Sequence, residues 1–587
     1  MACTHSKRLS LTGRQWVIRD CDERERDHLV AAMGISPVAA RLLVNRGLSD
    51  PVAARSFLEP DLNGLHDPAL LPDIEKAVER LRSAIASNET IMIYGDYDAD
   101  GVTSTSLLIQ FLRLLGVSPR HYIPNRVEEG YGLHTEAIEA AAADGVRLII
   151  TVDCGTSAAA EVERARELGL DVVITDHHEP PHTVPRACAV VNPKLTGSLY
   201  PFRDLSGVGV AFKFAWAVAQ SFSPGKRVTP EFRSFLLDAI GLVALGTVAD
   251  VVPLTGENRI FAIYGLHALQ SSSNPGIAAL IERAGVGGKP LEPVDVSFKL
   301  GPRLNAAGRL ARADLCVELF TCDSSERAAA IACELEDKNR ERQRIQAAIL
   351  NDARGRLADV ADWQSRRAIV LADESWHAGV VGIVAAKIAE EFNRPTVLLS
   401  LDGEVARGSA RSVPHFNLFQ AIEACEDVLL SYGGHSQAAG LKVTRERLDR
   451  FCELFEAEAL RRLGDWEPCG VLDIDAEMGL GAVTGTLVRE LGRLAPYGEG
   501  NRSPVLACTN VAVAGRPRRM GPQGQHVSFY VRQGETSLRA VGFRMGEIHD
   551  AIAAGSVTCD IAFTPKFNGY RGMEEIELEL CDVRLRS

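Results

Sequence analysis

From about residue 90 the chain alternates short apolar segments with segments in which apolar residues recur at helical spacing. The apolar segments predict four strands, at residues 91–94, 148–152, 172–175 and 188–191. The segments between them predict helices at Thr103–Leu115, Thr135–Ala143 and Ala158–Leu168. Continuously apolar strands separated by helices are typical of a parallel sheet that is covered on both faces. We therefore expect an α/β fold with a doubly wound parallel sheet.

The pattern changes along the rest of the chain. Residues 1–80 predict small helices separated by Pro, Gly and Asp turns. Ser324 is a suitable N-cap for a helix to residue 358, and the charged KNRERQR in its middle predicts a helix that crosses solvent between two lobes. A second α/β region has predicted strands at 368–372 and 396–400. After residue 469, short alternating segments with Gly-rich turns predict a small, OB-like β-barrel.

Acidic residues follow three of the four predicted strands. Asp96, Asp153 and Asp176 stand directly at or next to these strand ends, and His177 and His178 follow Asp176. In open parallel sheets, ligands bind beyond the carboxyl ends of the strands. The sequence therefore predicts a site at this edge of the sheet.

Three further carboxylates belong to the same prediction. Asp98 and Asp100 alternate with Asp96 in GDYDADG, and Asp250 lies in the apolar run ALGTVADVVPL, where an unpaired charge is unfavourable. The spacing D-x-D-x-D-G also begins an EF-hand calcium loop, but the twelfth position of such a loop would be Leu107 instead of Glu. A solvated acidic turn is the other alternative for this stretch taken alone.

Several carboxylates at one sheet edge require counter-charge. Two of them about 4 Å apart repel by about 4 kcal/mol at an effective dielectric constant of about 20. A pair of divalent ions bridged by one carboxylate removes this repulsion. Oxygen ligands with one imidazole and no thiolate favour Mn²⁺ or Mg²⁺.

Composition limits the class of protein. The chain has 587 residues, 64 basic and 77 acidic residues, and a net charge of −13, which argues weakly against a nucleic-acid coat protein but leaves room for a local basic groove. The thirteen cysteines form no CxxC pair, which favours free thiols over a disulfide framework. We see no apolar run near the length of a membrane span and no secretory signal, so a cytoplasmic protein is expected.

Seven motifs carry a resemblance to a known family. GDYDADG, TVDCG, TDHHE and GTVADVVPL resemble the motifs of the DHH phosphoesterase superfamily, and GPRLNAAGRL, GSARS and GGHSQAAG resemble its companion DHHA1 region. With the connecting helix and the barrel, the order resembles the single-strand-specific exonucleases of this superfamily. The resemblance implies an N-terminal segment packed on the catalytic lobe, a DHH catalytic domain, a connecting helix, a DHHA1 domain and an OB-like nucleic-acid-binding domain. Their predicted ranges are residues 1–80, 81–323, 324–358, 359–468 and 469–587.

The resemblance also implies roles for the clustered residues. Metal ligands would be Asp98, Asp100, Asp153, His177 and Asp250, with Asp153 as the bridge and Asp96 as either a ligand or a support. His178 would face the scissile phosphate, the alternative being a hydrogen-bond partner outside the metal shell. His178 and Asp153 are therefore the predicted catalytic residues.

Further residues are expected to bind nucleic acid. The resemblance places Arg126 in a loop over the site, where it either holds a terminal phosphate or pairs with a neighbouring glutamate. Two further groups are expected to contact the substrate. The first would by itself pass as a capped helix start; the second combines residues of a compact oxyanion-binding set with a histidine whose alternative role is that of a packed turn residue. The two groups are Arg303, Asn305 and Arg309 in GPRLNAAGRL, and Ser409, Arg411 and His435 in the DHHA1 motifs. Arg518 lies in a basic cluster beside aromatic residues, which suits a single strand, although about half of these aromatics are expected in the barrel core.

The expected function is 5′-3′ exonucleolytic hydrolysis of single-stranded DNA, releasing 5′-mononucleotides with two Mn²⁺ or Mg²⁺ ions, in DNA repair and recombination. One alternative is a hydrolase of short oligonucleotides or cyclic dinucleotides, against which the barrel argues. A second alternative is a non-catalytic nucleic-acid scaffold, against which the retained carboxylates argue. A single-strand-binding protein and a helicase are expected partners by family analogy.

Overall fold

The computed structural model describes residues 9–225, 227–360, 362–464, 469–554, 558–568 and 574–586. The chain divides into two compact units. One unit combines Met1–Gly64 with Cys469–Ser587, and the other is Leu65–Pro468.

The N-terminal part of the first unit contains one strand and three short helices. They are β1 (Arg14–Ile18), α1 (Glu23–Met33), α2 (Pro37–Val44) and α3 (Pro51–Leu58). Each helix begins after a side chain that accepts hydrogen bonds from first-turn amides, namely Asp22, Ser36 and Asp50. Local capping therefore sets where these helices start.

The second unit begins with the predicted α/β region. Its elements are α4 (Ile74–Ala86), β2 (Thr90–Tyr94), α5 (Ala99–Leu114), β3 (Arg120–Tyr122), α6 (Thr135–Ala143), β4 (Val146–Val152), α7 (Ala159–Glu167), β5 (Asp171–Thr175) and β6 (Ala189–Val191). The sheet order is β3-β2-β4-β5-β6, and all neighbouring strands are parallel. The doubly wound parallel sheet is confirmed, with β3 as an additional edge strand that the sequence pattern did not predict.

A helical layer follows this sheet. Its elements are α8 (Gly207–Ser221), α9 (Pro230–Ala249), α10 (Gly256–Gln270), α11 (Pro275–Arg283), α12 (Pro293–Asp295), a π-helical turn (Val296–Leu300), α13 (Gly301–Leu310) and α14 (Asp314–Thr321). Contrary to the sequence-based expectation, α9 is by length and composition apolar enough to cross a membrane; among the described residues no other helix meets this test. Its most apolar window is 67% buried, as is usual for the core helix of a folded domain.

The long helix α15 (Ser325–Asp359) begins at the predicted cap, Ser324, whose side chain accepts a hydrogen bond from Arg327 N. In its charged middle, residues 338–344, the side chains of Arg340, Glu341, Gln343 and Arg344 are exposed, as predicted, but the packed face of the helix carries buried polar side chains. Glu336, Asn339 and Gln346 are all at least nine-tenths buried. These polar side chains are tolerated because they are hydrogen-bonded, for example Glu336 to Arg303 at 2.6 Å.

The second α/β region follows α15. It contains β7 (Ile369–Asp373), α16 (Ala378–Phe392), β8 (Thr396–Asp402), β9 (Val405–Arg411), α17 (Leu418–Glu423), β10 (Leu429–Gly434), β11 (Ala438–Thr444) and α18 (Leu448–Leu463). The sheet order is β10-β11-β9-β8-β7, with β7 and β8 parallel and the other pairs antiparallel. Residues 465–468, where we predicted a domain boundary, lie outside the described residues.

The C-terminal part contains the predicted barrel. Its elements are β12 (Gly470–Ile474), β13 (Ala476–Glu477), α19 (Gly485–Gly492), β14 (Leu506–Met520), β15 (His526–Gln533), β16 (Thr536–Gly542), α20 (His549–Ala553), β17 (Thr558–Asn568) and β18 (Glu575–Leu585). Strands β14, β15, β16, β18 and β17 are paired in that order, and pairing of β17 with β14 closes the barrel.

The predicted position of the N-terminal segment requires a correction. The predicted segment 1–80 is divided between the two units, and residues up to Gly64 pack in one unit with the barrel, since Leu42 and Phe57 share a hydrophobic core with Leu480 and Phe563. Strand β1 also pairs in parallel with β12. Contacts so distant along the chain leave no local signal in the sequence.

Candidate metal centre and nucleic-acid-binding residues

The predicted acidic edge is formed by three neighbouring parallel strands. Strands β2, β4 and β5 lie side by side and end just before Asp96, Asp153 and Asp176 respectively. All three carboxylates are at least nine-tenths buried. The topology therefore brings acidic residues from three distant segments to one edge, as predicted.

The loop after β2 is held by its own side chains and by α13. Asp98 Oδ1 accepts hydrogen bonds from Asp100 N at 2.9 Å and Gly101 N at 3.1 Å, so Asp98 caps α5. Asn305 Oδ1 accepts a hydrogen bond from Ala99 N at 2.8 Å. Asn305, predicted to contact nucleic acid, therefore positions the loop that carries Asp98.

Asp100 is fully buried against the N-terminus of α8. Its carboxylate oxygens accept hydrogen bonds from Gly207 N at 2.7 Å and Val208 N at 2.8 Å. A helix N-terminus favours an anion because its first amides are unpaired and its dipole is positive there. Gly207–Gly209, interpreted from sequence as a tight helix entry, indeed begins α8 after the N-cap Ser206.

Asp153 occupies an unusual backbone conformation, with a φ of 60°. This left-handed turn follows β4 and is held by a hydrogen bond from Asp153 N to Thr175 O at 3.0 Å. A Cβ at Gly207 would lie only 2.6 Å from Asp153 Oδ1, so the α8 backbone touches this carboxylate closely. Non-glycine residues in such conformations are often found at functional sites.

His177 lies at the centre of the cluster. Its Nε2 atom is 3.0 Å from Asp153 Oδ1, 3.7 Å from Asp250 Oδ2 and 4.0 Å from Asp100 Oδ2. Asp250 reaches this position from the C-cap of α9. Among the described residues, three groups have ligand atoms within 4.8 Å of one another: Asp96, Asp98 and Asp153; Asp100, His177 and Asp250; Asp153, His177 and His178. Asp153 belongs to two of these groups, and so does His177.

Several buried atoms in this cluster lack a hydrogen-bond partner among the described residues. They are Asp96 Oδ1, Asp153 Oδ1 and both ring nitrogens of His177. Buried polar atoms without partners are costly unless an ion or ordered water satisfies them. Carboxylate oxygens with one or two imidazoles suit Mn²⁺ or Mg²⁺, so the residues present fit the expected ions.

Burial and mutual repulsion shift the acid–base behaviour of the cluster. Burial, together with neighbouring carboxylates, raises the pKa of Asp153, Asp96 and Asp250 well above the usual value. The same causes raise the pKa of Asp100 to about 7, despite the opposing hydrogen bonds from α8. Burial lowers the pKa of His177 to about 3, so this imidazole stays neutral and able to bind a metal.

These shifts predict a pH-dependent metal affinity. A carboxyl group with a raised pKa holds its proton at neutral pH, and a metal ion must displace that proton. We expect Mn²⁺ affinity to rise at least about tenfold from about pH 6 to about pH 8, with protons released on binding. Titration calorimetry in two buffers of different ionisation enthalpy measures both quantities; an affinity that is flat with pH would contradict the assignment.

His178 is held beside the metal cluster by Asp176, which was predicted to lie at this edge but without a role, and by Tyr131, which was not predicted. Its Nδ1 is 2.8 Å from Asp176 Oδ1 and 3.0 Å from the hydroxyl of Tyr131, which also donates to Asp153 O at 3.1 Å. Burial lowers the pKa of His178, but the hydrogen bond and charge of Asp176 outweigh it and raise that pKa overall. In the sequence, the position of Asp176 directly before the two histidines could have indicated this role. For Tyr131 the only indication was its place in the same loop as Arg126.

Basic residues surround the adjoining space within the same unit. Burial lowers the pKa of Arg309, and the nearby positive charges of Arg126, Arg342 and Arg411 lower it further. Arg126 lies over the ring of Tyr97, with 4.7 Å from its Cζ atom to the ring centroid. The structure therefore brings together arginines from the loop after β3, from α13, from α15 and from β9; Arg342 was not predicted.

The DHHA1 residues belong to this basic group. Arg411 donates a hydrogen bond to Ser409 Oγ at 2.8 Å, and burial followed by the charge of Arg126 lowers the pKa of Arg411. Burial and the charges of Arg411 and His178 lower the pKa of His435. Ser409, Arg411 and His435 thus lie in one electrostatic neighbourhood with the loop arginine Arg126.

Two predicted residues lie apart from this group. Arg303 donates to Glu336 Oε2 at 2.6 Å and its side chain is only 12% exposed, so it joins α13 to α15. Arg518 lies in the other unit, exposed on β14. Of the aromatics near it, Phe529 and Phe563 are in the barrel core and Tyr530 is 52% exposed, in agreement with the expected division.

Three family models match the chain. The N-terminal domain of the DHH family matches residues 90–247, the DHHA1 domain matches residues 365–460, and the RecJ OB domain matches residues 474–582. The described site residues of the second unit are thus distributed over the first two matches and the segment between them, which contains Asp250, α13 and Arg342.

Known proteins resemble the chain over most of its length. The single-stranded-DNA-specific exonuclease RecJ of Bacillus subtilis strain 168 is 38% identical over 92% of this chain and 67% of its own length. The protein of the same name from Haemophilus influenzae is 34% identical over 89% of this chain and 92% of its own length. The crystal structure of RecJ in complex with Mn²⁺ from Thermus thermophilus matches with a TM-score of 0.83 and 30% identity, covering 98% of this chain and 80% of that one.

Proposed function

The chain belongs to the RecJ family of single-stranded-DNA-specific exonucleases, and on that premise we propose that it hydrolyses single-stranded DNA from the 5′ end and releases 5′-mononucleotides. The observation that carries this proposal is the convergence of buried carboxylates and His177 on one point, with ligand atoms that lack hydrogen-bond partners in the described part of the chain. The proposed cofactors are Mn²⁺ or Mg²⁺.

The cluster is organised for metal-dependent cleavage of a phosphodiester. Divalent ions bound there would supply charge neutralisation at the phosphate and a lower pKa for attacking water. Asp153 belongs to two of the three ligand groups and is the proposed bridge. The hydrogen bonds of Asp100 to α8 and of Asp98 to the start of α5 fix those carboxylates before any substrate arrives.

His178 is the proposed contact to the scissile phosphate. Its side chain is 44% exposed, whereas that of His177 is 8% exposed, so His178 lies at the open side of the cluster. Asp176 orients the ring and favours its protonated form, which can donate a hydrogen bond to a phosphate oxygen. The hydroxyl of Tyr131 also contacts His178 Nδ1, and this contact further restricts the ring.

The arginines provide a site for the terminal phosphate. Arg309 and Arg411 are partly buried and positively charged without an acidic partner among the described residues within ion-pair distance. Several arginines at one place repel one another, and an anion removes that repulsion. A 5′-phosphate is the anion that an exonuclease acting from the 5′ end would present.

We therefore expect Arg411→Gln to weaken the preference for 5′-phosphorylated strands. Loss of a charged hydrogen bond costs about 1.5–3 kcal/mol, so kcat/KM on a 5′-phosphorylated strand should fall by about 10- to 100-fold. A strand with a 5′-hydroxyl should be affected less. Arg450→Gln, at a side chain of α18 in the same domain that is 62% exposed, is the matched control; equal losses with both substrates would contradict the assignment.

The barrel supplies a second proposed contact with the strand. Arg518 and Tyr530 lie on neighbouring strands and are both exposed, which suits contact with a phosphate and a base. Because an exonuclease limited to single strands cannot open a duplex, it requires a strand-separating partner. A helicase and a single-strand-binding protein in the cytoplasm are the proposed partners.

One experiment tests the proposed activity. The protein is incubated with 5′- or 3′-labelled single strands and with duplex, in Mn²⁺, in Mg²⁺ or with a chelator. We expect immediate release of the 5′ label as a mononucleotide, slow shortening seen from the 3′ label, no digestion of blunt duplex and no activity with chelator. Release of the 3′ label first would overturn the polarity, and full activity in chelator would overturn the metal-dependent mechanism.

A further inference from the structure

An aromatic side chain projects into solvent from the π-helical turn between α12 and α13. Phe298 in this turn is 76% exposed, more than any other phenylalanine, tyrosine or tryptophan in the part of the chain that the structure describes. Val294, just before the turn, is 51% exposed. Turns of π-helix are rare and frequently occur at functional sites.

This turn packs against the end of the helix that presents a metal-ligand residue. Ser297 Oγ donates to Val248 O at 3.5 Å, and a Cβ at Gly301 would lie 3.1 Å from Ala249 Cβ. Val248 and Ala249 form the last turn of α9, and the next residue is Asp250. Phe298 therefore belongs to a turn that contacts the last turn of α9, directly before Asp250.

The metal cluster is open to solvent on the Asp250 side. The side chain of Asp250 is 23% exposed, compared with 0% for Asp100 and 3% for Asp153. Val251 follows directly, is 60% exposed and has a φ of 63°. A β-branched residue is an outlier in this left-handed region, where a helix end usually has glycine.

The charge around these apolar side chains does not oppose a polyanion. Asp295, at the foot of the turn, is paired with Lys289 at 3.1 Å and with Lys299 at 2.8 Å. Together with the exposed Glu292 at the N-cap of α12, two acidic and two basic residues balance one another near Phe298. Single exposed apolar residues are ordinary on protein surfaces, but here they come from two packed elements beside the open side of a reactive centre.

We propose that Phe298, in the turn that packs against the end of α9 before Asp250, is a stacking surface for an unpaired base of the single-stranded DNA whose phosphate occupies the metal centre. The inference rests on the proposed function, because a strand bound at the carboxylates must continue past the open side at Asp250. Base stacking on an aromatic ring is tolerant of sequence, which suits a nuclease that digests any strand. Phe298 is a substrate-positioning residue in this assignment.

The test compares Phe298→Ala and Phe298→Trp in the full chain with Mn²⁺. The control is Phe222→Ala, a partly exposed phenylalanine at the C-cap of α8, the opposite end of that helix from Gly207. We expect Phe298→Ala to bind a single strand about tenfold more weakly and to lower the ratio of kcat/KM on that strand to kcat/KM on the dinucleotide pTpT by about tenfold. Phe298→Trp should restore both, and the control should change neither.

A binding assay separates this inference from the activity itself. Strands with 2-aminopurine at successive positions should show one position whose fluorescence is quenched by the wild type and by Phe298→Trp but not by Phe298→Ala. Absence of such a position, or equal losses on the strand and on pTpT, would overturn the stacking role. A wild type that quenches 2-aminopurine but does not cut would overturn the proposed function and leave the stacking role supported.

Discussion

Asp153→Asn is expected to abolish cleavage of single-stranded DNA while leaving binding of the strand largely intact. Asparagine keeps the shape of the side chain but removes the charge that belongs to two of the three ligand groups. The rate in Mn²⁺ should fall by at least about 1,000-fold, which corresponds to about 4 kcal/mol in the activation free energy. Single-turnover cleavage of a 5′-labelled strand measures the rate, and fluorescence anisotropy measures binding.

The same substitution should stabilise the metal-free protein. Burial and the charges of Asp100 and Asp98 raise the pKa of Asp153, so above its ordinary pKa the ionised form is less favourable in the folded than in the unfolded state. Removing that charge should therefore raise the melting temperature in chelator at neutral pH and abolish the increase caused by Mn²⁺. Asp144→Asn, at a side chain that is 66% exposed, is the control and should change neither. Cleavage by Asp153→Asn at the wild-type rate would refute the site.

Gly207→Ala is expected to reduce the cleavage rate by about 100-fold, because displacements of about 1 Å at a reacting centre have effects of this size. The added Cβ would lie 2.6 Å from Asp153 Oδ1 and 2.7 Å from Asp153 Cβ. Either the carboxylate or the start of α8 must move, and α8 also holds Asp100 through Gly207 N. Cleavage rates and Mn²⁺ affinity should fall together.

Gly209→Ala provides a matched control two residues along the same helix. Its Cβ would meet only Ser206 Oγ at 3.2 Å and Leu205 Cδ2 at 3.3 Å, which small side-chain adjustments relieve. We expect near-normal activity. If Gly209→Ala were as inactive as Gly207→Ala, the effect would come from α8 in general and not from contact with Asp153.

Local patterns predicted the catalytic sheet well. The helix at Thr135–Ala143 has the predicted bounds, and the strands before Asp96, Asp153 and Asp176 were all found. Helix α5 starts at Ala99, four residues before the predicted Thr103, because Asp98 caps it within the acidic loop. Hydrophobic periodicity cannot report a helix start such as Ala99-Asp100-Gly101, which has no apolar side chain larger than alanine.

The roles of several polar residues could not be separated by sequence. Arg303, Asn305 and Arg309 occupy one motif, yet Arg303 pairs with α15, Asn305 holds the loop at Ala99, and Arg309 lies among arginines. Side chains at different positions of one helix point in different directions, so each of them contacts a different neighbouring element. Only the packing of α13 assigns these contacts.

By itself, the sequence determined the parallel sheet, the barrel and the acidic strand ends, because hydrophobic periodicity and the residue after a strand are local properties. Parallel pairing then made convergence of those ends unavoidable. Tertiary structure alone decided that residues up to Gly64 join the barrel, that one face of α15 buries Glu336, Asn339 and Gln346, and that Tyr131 and Asp176 hold His178. These features depend on contacts between segments far apart in the chain, where no local pattern records which surfaces meet.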